Sequence, residues 1–137
     1  MIYDPHNLLP LAHIKLRSLV RYVGVVADVQ IVTTYRDPAA QQEAFDTGKS
    51  HARPGQSPHN FNPSLAVDMV PHPVNWNDRD AFIALGALTK KLARQNGISI
   101  TWGGDFSNLV DMPHFELLNW QQIVMQIDKE KPDGNSV

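Results

Sequence analysis

Residues 65–70 (LAVDMV) place one carboxylate, Asp68, inside a short run of apolar side chains. A run of this length that is bounded by loop-forming residues predicts a buried β-strand. Burying an unpaired charge costs several kcal/mol, so a carboxylate in such a strand is normally paired with a cation or bound to a metal ion. Asp68 therefore indicates either an ion pair with an arginine or a polar site on the predicted strand.

The segments on both sides of this strand predict further strands and four helices. Apolar spacing, caps and the Asp37-Pro38 start signal predict helices over residues 8–23, 37–48, 77–97 and from 119 onward. We expect Asn77 to cap the third helix and Gly97 to end it. Strands are predicted at residues 29–35, 98–102 and 114–117, and residues 49–63 are predicted to form a loop. Because helices and strands do not alternate strictly, we predict an α+β fold with a small, mainly antiparallel sheet and flanking helices.

Length and composition set the broad class of protein. The chain has 137 residues, of which 42% are hydrophobic and 19% charged, and this is typical of a single folded domain. We expect residues 1–128 to form that domain and residues 129–137 to form a polar tail. The net charge of −2 offers no broad cationic surface, so we expect no nucleic-acid partner. Cysteine is absent, which excludes disulfides, thiolate nucleophiles and cysteine-ligated metal sites.

The first twenty residues do not resemble a secretory signal, because they lack a basic start and polar residues interrupt the apolar ones. No apolar run reaches the roughly 18–20 residues that cross a bilayer. We therefore expect no membrane insertion, and accumulation in the cytoplasm unless a separate pore releases the protein to the periplasm and cell wall.

Six histidines are present, and the sequence around them separates two from the rest. His6, His13, His51 and His72 lie in amphipathic, polar or proline-flanked segments, and we interpret them as surface or edge residues. His59 lies in the long loop that leads into the strand with Asp68. His114 begins another predicted strand, with Asp111 three residues before it and Glu116 two residues after it. Since residues two apart in a strand share a face, His114 and Glu116 are expected to point the same way.

Two imidazoles and one carboxylate make a donor set that suits a catalytic Zn²⁺ with a fourth position open for water. A second carboxylate that does not bind the metal would then act as a general base, and Asp111 suits that role. The alternatives are structural: Asp68 paired with an arginine, His59 as an ordinary loop residue, and Asp111 as the cap of a turn before Pro113. Spacing by itself leaves these alternatives open.

Five stretches in order carry a resemblance to a known family: TTYRDPAAQQEAF (33–45), SPH (57–59), SLAVDMV (64–70), WGGDF (102–106) and DMPHFEL (111–117). Together they resemble the D-alanyl-D-alanine carboxypeptidase group of zinc peptidases. Within that group the chain is most similar to the small phage endolysins that act as L-alanyl-D-glutamate endopeptidases. The resemblance implies a fold like that of the hedgehog and DD-peptidase domains.

The resemblance also implies roles for individual residues. It implies that His59, Asp68 and His114 bind zinc and that Asp111 is the catalytic base. It implies that Arg36 acts in catalysis and binds a substrate carboxylate or the oxyanion. Ser57 falls on a family serine that contacts substrate or supports the metal site, and Glu116 on a glutamate that orients a metal-binding imidazole. Trp102 and Phe106 belong to a patch that either shapes the cleft floor or packs in the core, and we favour packing.

One stretch departs from the family pattern Ser-x-His-x-x-Gly-x-Ala-x-Asp. Between Ser57 and Asp68 this chain is two residues longer, and Ser64 stands where the family has glycine. We expect residues 60–63 to bulge, since their asparagine and proline residues suit a turn.

The function implied by the resemblance is that of a zinc-dependent peptidoglycan endopeptidase of the phage endolysin type, which hydrolyses the L-alanyl-D-glutamate bond of the murein peptide stem. Its partner would be bacterial peptidoglycan, and we expect a monomer. One alternative is a D,D-carboxypeptidase or dipeptidase that removes terminal D-alanine. The other is a wall-binding module that has lost catalysis.

Overall fold

The computed structural model describes residues 1–130 and contains four α-helices and one five-stranded sheet. The strands are β1 (Ile2–Tyr3), β2 (Val29–Thr33), β3 (Ala66–Pro71), β4 (Ile100–Trp102) and β5 (His114–Leu117). The helices are α1 (Ile14–Val26), α2 (Pro38–Asp46), α3 (Arg79–Gln95) and α4 (Trp120–Glu130). Short 3-10 turns occur at Leu9–Leu11, Pro58–Asn60 and Gly103–Asp105.

The sheet has the strand order β1-β2-β3-β5-β4. β1 pairs with β2 in parallel, and the other three neighbouring pairs are antiparallel. The predicted α+β class with a mainly antiparallel sheet is therefore confirmed. β1 was not predicted, because two residues are too few to show a strand pattern.

The sheet packs one face in the hydrophobic core and presents a polar site on part of the other. Val67 and Met69 of β3, with Phe115 and Leu117 of β5, are buried in the core that also contains the inner faces of α1 and α3. Because side chains alternate across a strand, Asp68, His114 and Glu116 project from the opposite face. The strand pattern thus separates the hydrophobic core from the polar site.

Local signals explain where the helices begin and end. Asp37 caps α2 by accepting a hydrogen bond from the Ala40 amide at 2.8 Å, as the sequence predicts. The predicted cap at Asn77 is wrong: Asp78 caps α3 instead, accepting from the Ala81 amide at 3.2 Å. Gly97 follows α3 with a φ of +68°, a backbone conformation that glycine adopts without steric cost.

Several other limits also differ from the prediction. The first predicted helix is divided into the 3-10 turn Leu9–Leu11 and α1, with His13 as the N-cap of α1. β2 ends at Thr33, two residues before the predicted limit. α4 continues to Glu130, so it includes the first two residues of the predicted polar tail, and residues 131–137 of that tail lie outside the described residues. Within residues 1–130, no helix combines the length and apolar character needed to cross a bilayer.

Candidate metal centre

Strand register brings Asp68 and His114 together. In the antiparallel pairing of β3 with β5, Asp68 lies directly opposite His114. The Oδ1 atom of Asp68 is 3.0 Å from Nδ1 of His114. Asp68 is therefore paired with histidine rather than with an arginine, which settles one alternative that the sequence leaves open.

His59 reaches the same point from the 3-10 turn Pro58–Asn60. The Ser57 hydroxyl caps this turn by accepting from the His59 amide at 3.2 Å, and the Asn60 side chain accepts from the Ser57 amide at 3.1 Å. These bonds place Nε2 of His59 3.1 Å from Oδ1 of Asp68 and 3.2 Å from Nδ1 of His114. His59 and His114 are 2% and 6% exposed, so neither is an ordinary loop histidine.

The longer stretch before Asp68 does not separate the three side chains. The Leu65 amide donates to the Pro58 carbonyl at 3.0 Å, which closes residues 58–65 into a bulge. Ser64 is fully buried, and its hydroxyl lies 2.9 Å from the Thr34 carbonyl and 2.7 Å from the Ala66 carbonyl. A serine thus occupies the glycine position of the family pattern as a hydrogen-bonded part of the core.

The hydrogen bonds around the two imidazoles test whether the group fits a metal ion. Nδ1 of His59 lies 2.6 Å from the Thr34 carbonyl, which can only accept, so this nitrogen carries the proton. Nε2 of His114 lies 2.7 Å from the Glu116 carboxylate, so the same argument applies to it.

When both rings are neutral, the remaining nitrogen of each ring presents a lone pair to the other ring and to Asp68. The donor atoms of the three residues lie within 4.8 Å of one another. Converging lone pairs repel unless a cation lies between them, and two imidazoles with one carboxylate suit Zn²⁺. The residues present therefore fit a zinc ion.

Without a metal ion, protons and charges shift the pKa values of the site. Burial lowers the pKa of His114, but its hydrogen bonds to Asp68 and Glu116 outweigh burial and raise it to about 10. Burial raises the pKa of Asp68, but the neighbouring His59 and His114 hold it well below its ordinary value. At neutral pH the metal-free site therefore contains a protonated His114 between two carboxylates.

Asp111 lies beside this group without belonging to it. Its backbone forms the turn that precedes β5: the Asp111 amide donates to the Gly103 carbonyl at 2.9 Å, and the His114 amide donates to the Asp111 carbonyl at 3.2 Å. Within the described residues the Asp111 carboxylate makes no hydrogen bond, so Asp111 does not act as a turn cap. It lines the same cleft as the three donor residues. Partial burial and the nearby Asp68 raise the pKa of Asp111, which suits a group that must take up a proton.

Because Gly103 has no side chain, the backbone at Asp111 can pack directly against it. A Cβ atom at this position would lie 2.1 Å from the Asp111 carbonyl oxygen, which is far inside van der Waals contact. The neighbouring Trp102 is 7% exposed and donates from its indole to the Met112 carbonyl at 2.7 Å. Trp102 therefore packs in the core, as favoured from sequence, whereas Phe106 lines the cleft with its ring 5.8 Å from that of His114.

Arg36 lies in the wall of the cleft and is held by a residue that the sequence analysis did not single out. The Arg36 guanidinium donates to Oε1 of Gln41 at 3.0 Å. Gln41 is fully buried, also accepts from Asn60 at 3.0 Å, and donates to Ser50 at 3.1 Å and to the Ala52 carbonyl at 2.7 Å. This side chain joins Arg36, the turn that carries His59, and the loop after α2.

The cleft itself has a volume of about 270 Å³. Arg36, Ser57, Asp111 and Glu116 all contribute to its lining, together with the three converging donors. Of the histidines interpreted as surface residues, His51 also lines the cleft but is exposed and outside the donor group. His13 caps α1, and His72 stacks on Tyr3 with ring centroids 3.6 Å apart.

Comparisons with known proteins agree with this geometry. A family model described as D-alanyl-D-alanine carboxypeptidase matches residues 50–117, which include the three donors, Asp111 and Glu116. The L-Ala D-Glu endopeptidase ChiX of Serratia marcescens is similar in structure, with a TM-score of 0.70 and 26% identity over 89% of this chain and 93% of that chain. A zinc-bound variant of the vancomycin-resistance D,D-pentapeptidase VanY has the same fold, with a TM-score of 0.51 and 15% identity over 81% of this chain and 72% of that chain.

Proposed function

Because the chain belongs to the D-alanyl-D-alanine carboxypeptidase family of zinc peptidases, we propose that it is an endopeptidase that hydrolyses the L-alanyl-D-glutamate bond of the murein peptide stem. The observation that carries the proposal is the convergence of His59, Asp68 and His114 beside Asp111 in one cleft. The bond specificity is supported by the similarity to ChiX, which covers nearly the whole of both chains.

The residues of the cleft have separate roles in the proposed hydrolysis. Zinc held by His59, Asp68 and His114 would polarise the scissile carbonyl and lower the pKa of a bound water to about 7. Asp111 takes the proton from the attacking water and delivers it to the leaving amine.

Two further residues support these steps. The Arg36 guanidinium, oriented by Gln41, stabilises negative charge on the substrate or on the carbonyl oxygen as the tetrahedral species forms. The Glu116 carboxylate accepts a hydrogen bond from Nε2–H of His114, which keeps the lone pair of Nδ1 directed at the metal position.

Product analysis tests the bond assignment. Digestion of purified murein with the zinc-loaded protein, followed by mass spectrometry, should release peptides that begin with D-glutamate and leave L-alanine on the glycan. Release of free D-alanine instead would establish the alternative D,D-carboxypeptidase, the activity that the family description names.

A wall-binding module that has lost catalysis is disfavoured by Asp111. A purely structural site does not require a free carboxylate next to the three donors. We expect the protein to clear a murein suspension, to stop when a chelator is added, and to resume when zinc is added. Binding to murein without any release of peptide would establish the module instead.

We propose further that the chain acts as a phage endolysin, a role supported by its resemblance to small endolysins. Producing cells should then lyse when the inner membrane is permeabilised, and remain intact before that. Lysis without permeabilisation would contradict this role and the expected cytoplasmic accumulation. The expected monomer is tested by sedimentation of the purified protein.

A further inference from the structure

An exposed tryptophan lies outside the cleft and is not used by the proposed reaction. Trp76 lies between β3 and α3 and is 63% exposed. Its ring stacks on the buried Phe82, with centroids 5.6 Å apart and an angle of 26° between the planes. Stacking fixes the orientation of the indole, so the rest of its surface is a rigid aromatic platform open to solvent.

The platform forms part of a small cavity that also has a free cation. This Trp76 cavity has a volume of about 240 Å³ and is lined by Trp76, Arg79, Phe82, Met112 and Pro113. The Arg79 guanidinium makes no ion pair or side-chain hydrogen bond with any residue from 1 to 130. An aromatic face next to unused N–H donors suits a sugar ring, whose C–H face stacks on the indole while its hydroxyl or acetamido oxygens accept hydrogen bonds.

Two residues that line the Trp76 cavity directly follow, in sequence, a residue that lines the catalytic cleft. Met112 and Pro113, which line the cavity, are the two residues between Asp111 and His114. Since consecutive Cα atoms are about 3.8 Å apart, one short turn separates the wall of the cavity from the wall of the cleft. A ligand in the cavity would therefore lie beside the segment that carries the proposed base.

We propose that the Trp76 cavity binds a sugar ring of the murein glycan strand during cleavage of the peptide stem. This inference rests on the proposed function, because in murein L-alanine is amide-linked to the lactyl group of N-acetylmuramic acid. A sugar thus lies only one residue from the L-alanyl-D-glutamate bond. Binding energy gained from this part of the substrate can be used to hold the scissile bond in place.

The kinetic experiment compares two substrates that differ only in the sugar. Trp76→Ala should lower kcat/KM for a disaccharide-linked stem peptide roughly 3- to 10-fold, the effect expected from one aromatic contact, and leave kcat/KM for the free peptide unchanged. Trp76→Phe, which keeps an aromatic face, should restore part of the loss. Tyr22→Ala removes an exposed aromatic ring from α1 and serves as the matched control, with no change on either substrate.

Two kinetic outcomes would overturn the proposal: an equal loss on both substrates, or no loss on either. Thermal melting of each variant separates a folding defect from a binding defect, and Arg79→Gln provides a second variant on the exposed rim of the cavity.

Direct binding separates this inference from the proposed function. In NMR spectra of ¹⁵N-labelled zinc-loaded protein, peptide-free N-acetylglucosaminyl-N-acetylmuramic acid should shift the Trp76 indole N–H signal, and should not do so for Trp102. Such a shift without cleavage of any stem peptide would keep the sugar site and overturn the proposed reaction. Cleavage of the stem peptide without any shift would do the opposite.

Discussion

At the scale of single residues, each imidazole of the candidate metal centre is fixed by one acceptor outside the donor group. The Thr34 carbonyl holds His59 and the Glu116 carboxylate holds His114. Each bond fixes the tautomer and directs the second nitrogen at Asp68. Asp111 has no such partner among the described residues, and this difference agrees with the proposed roles of the imidazoles as metal ligands and of Asp111 as the proton carrier.

Asp111→Asn should abolish turnover while leaving zinc bound. The amide has nearly the same shape as the carboxylate but cannot take up a proton, so we expect a loss of about 10²- to 10⁴-fold in kcat. Zinc content and murein digestion measured on one preparation check this. A variant that digests murein at the wild-type rate would exclude Asp111 as the base.

Gln41→Leu should lower kcat/KM by about tenfold or more, because the buried amide no longer holds Arg36 and the loop after α2 in place. It should also destabilise the fold by about 1–3 kcal/mol, since several buried polar groups lose their partner. Gln42→Leu is the matched control, because Gln42 is exposed on the same helix and, among the described residues, its side chain hydrogen-bonds only to Asp46. Equal activity of both variants, measured at a temperature where both are folded, would show that Gln41 does not position Arg36.

At the scale of elements, the site depends on the register of two strands and on two turns. β3 and β5 place Asp68 opposite His114, the turn Pro58–Asn60 brings His59, and the turn Gly103–Asp105 supports the Asp111 segment. β3, β5 and the turn Pro58–Asn60 each contribute one donor, so a shift of any of these three changes the distances between the donors. A shift of the turn Gly103–Asp105 instead moves Asp111.

Gly103→Ala tests the turn that supports Asp111. The added Cβ would overlap the backbone carbonyl of Asp111. Because no flexible side chain can move aside to relieve this overlap, the backbone before β5 must move. We expect a loss of kcat of about 10²-fold from misplacement of the base, with a smaller effect on zinc affinity. Zinc titration and steady-state kinetics check both quantities. Unchanged kcat in a folded variant would mean that this contact does not position Asp111.

Local patterns in the sequence were sufficient to predict several of these elements. The alternation of polar and apolar residues in His114–Leu117 gave both the limits of β5 and the shared face of His114 and Glu116. The Asp37-Pro38 pair gave the start of α2. In both cases the signal lies within a few neighbouring residues, which is where sequence patterns are informative.

Other features depend on contacts between distant residues and could not be predicted. The role of Gln41 arises from partners that lie 5 to 19 residues away, and that of Gly103 from the Asp111 carbonyl. Asn77 and Asp78 are both good cap residues, so composition could not choose between them. The three donors were proposed from the sequence, but their convergence despite the longer 60–63 bulge required the fold.

At the scale of the whole molecule, the sheet separates the hydrophobic core from the cleft. α1 and α3 pack on one face, the cleft opens on the other, and the Trp76 cavity lies where the first turn of α3 meets Met112 and Pro113. Arg36, Lys49 and His51 contribute positive or titratable groups to the lining, and Asp68, Asp111 and Glu116 contribute carboxylates. Such a division of charge suits a substrate that carries both a carboxylate and a scissile amide.

After the metal is removed, the stability of the whole protein should fall as the pH rises into the alkaline range. In the metal-free fold the pKa of His114 is about 10, above its ordinary value of 6.5. The protonated form therefore stabilises the folded state fully below pH 6.5, and this contribution is lost as the pH rises toward 10. Zinc takes the place of that proton, so the Tm of chelated protein should fall between pH 7 and pH 10 relative to that of zinc-loaded protein. If the Tm of the chelated and zinc-loaded forms changed with pH in the same way, the protonation of His114 in the metal-free fold would be contradicted.

The most direct measurement is the zinc content of purified wild-type protein and of the His59→Ala and His114→Ala variants, determined by elemental analysis after dialysis. We predict about one zinc ion per wild-type chain and a large loss of zinc in each variant, because each removes one of only three protein ligands. A wild-type chain without zinc, or either variant with full occupancy, would contradict a metal centre built from His59, Asp68 and His114.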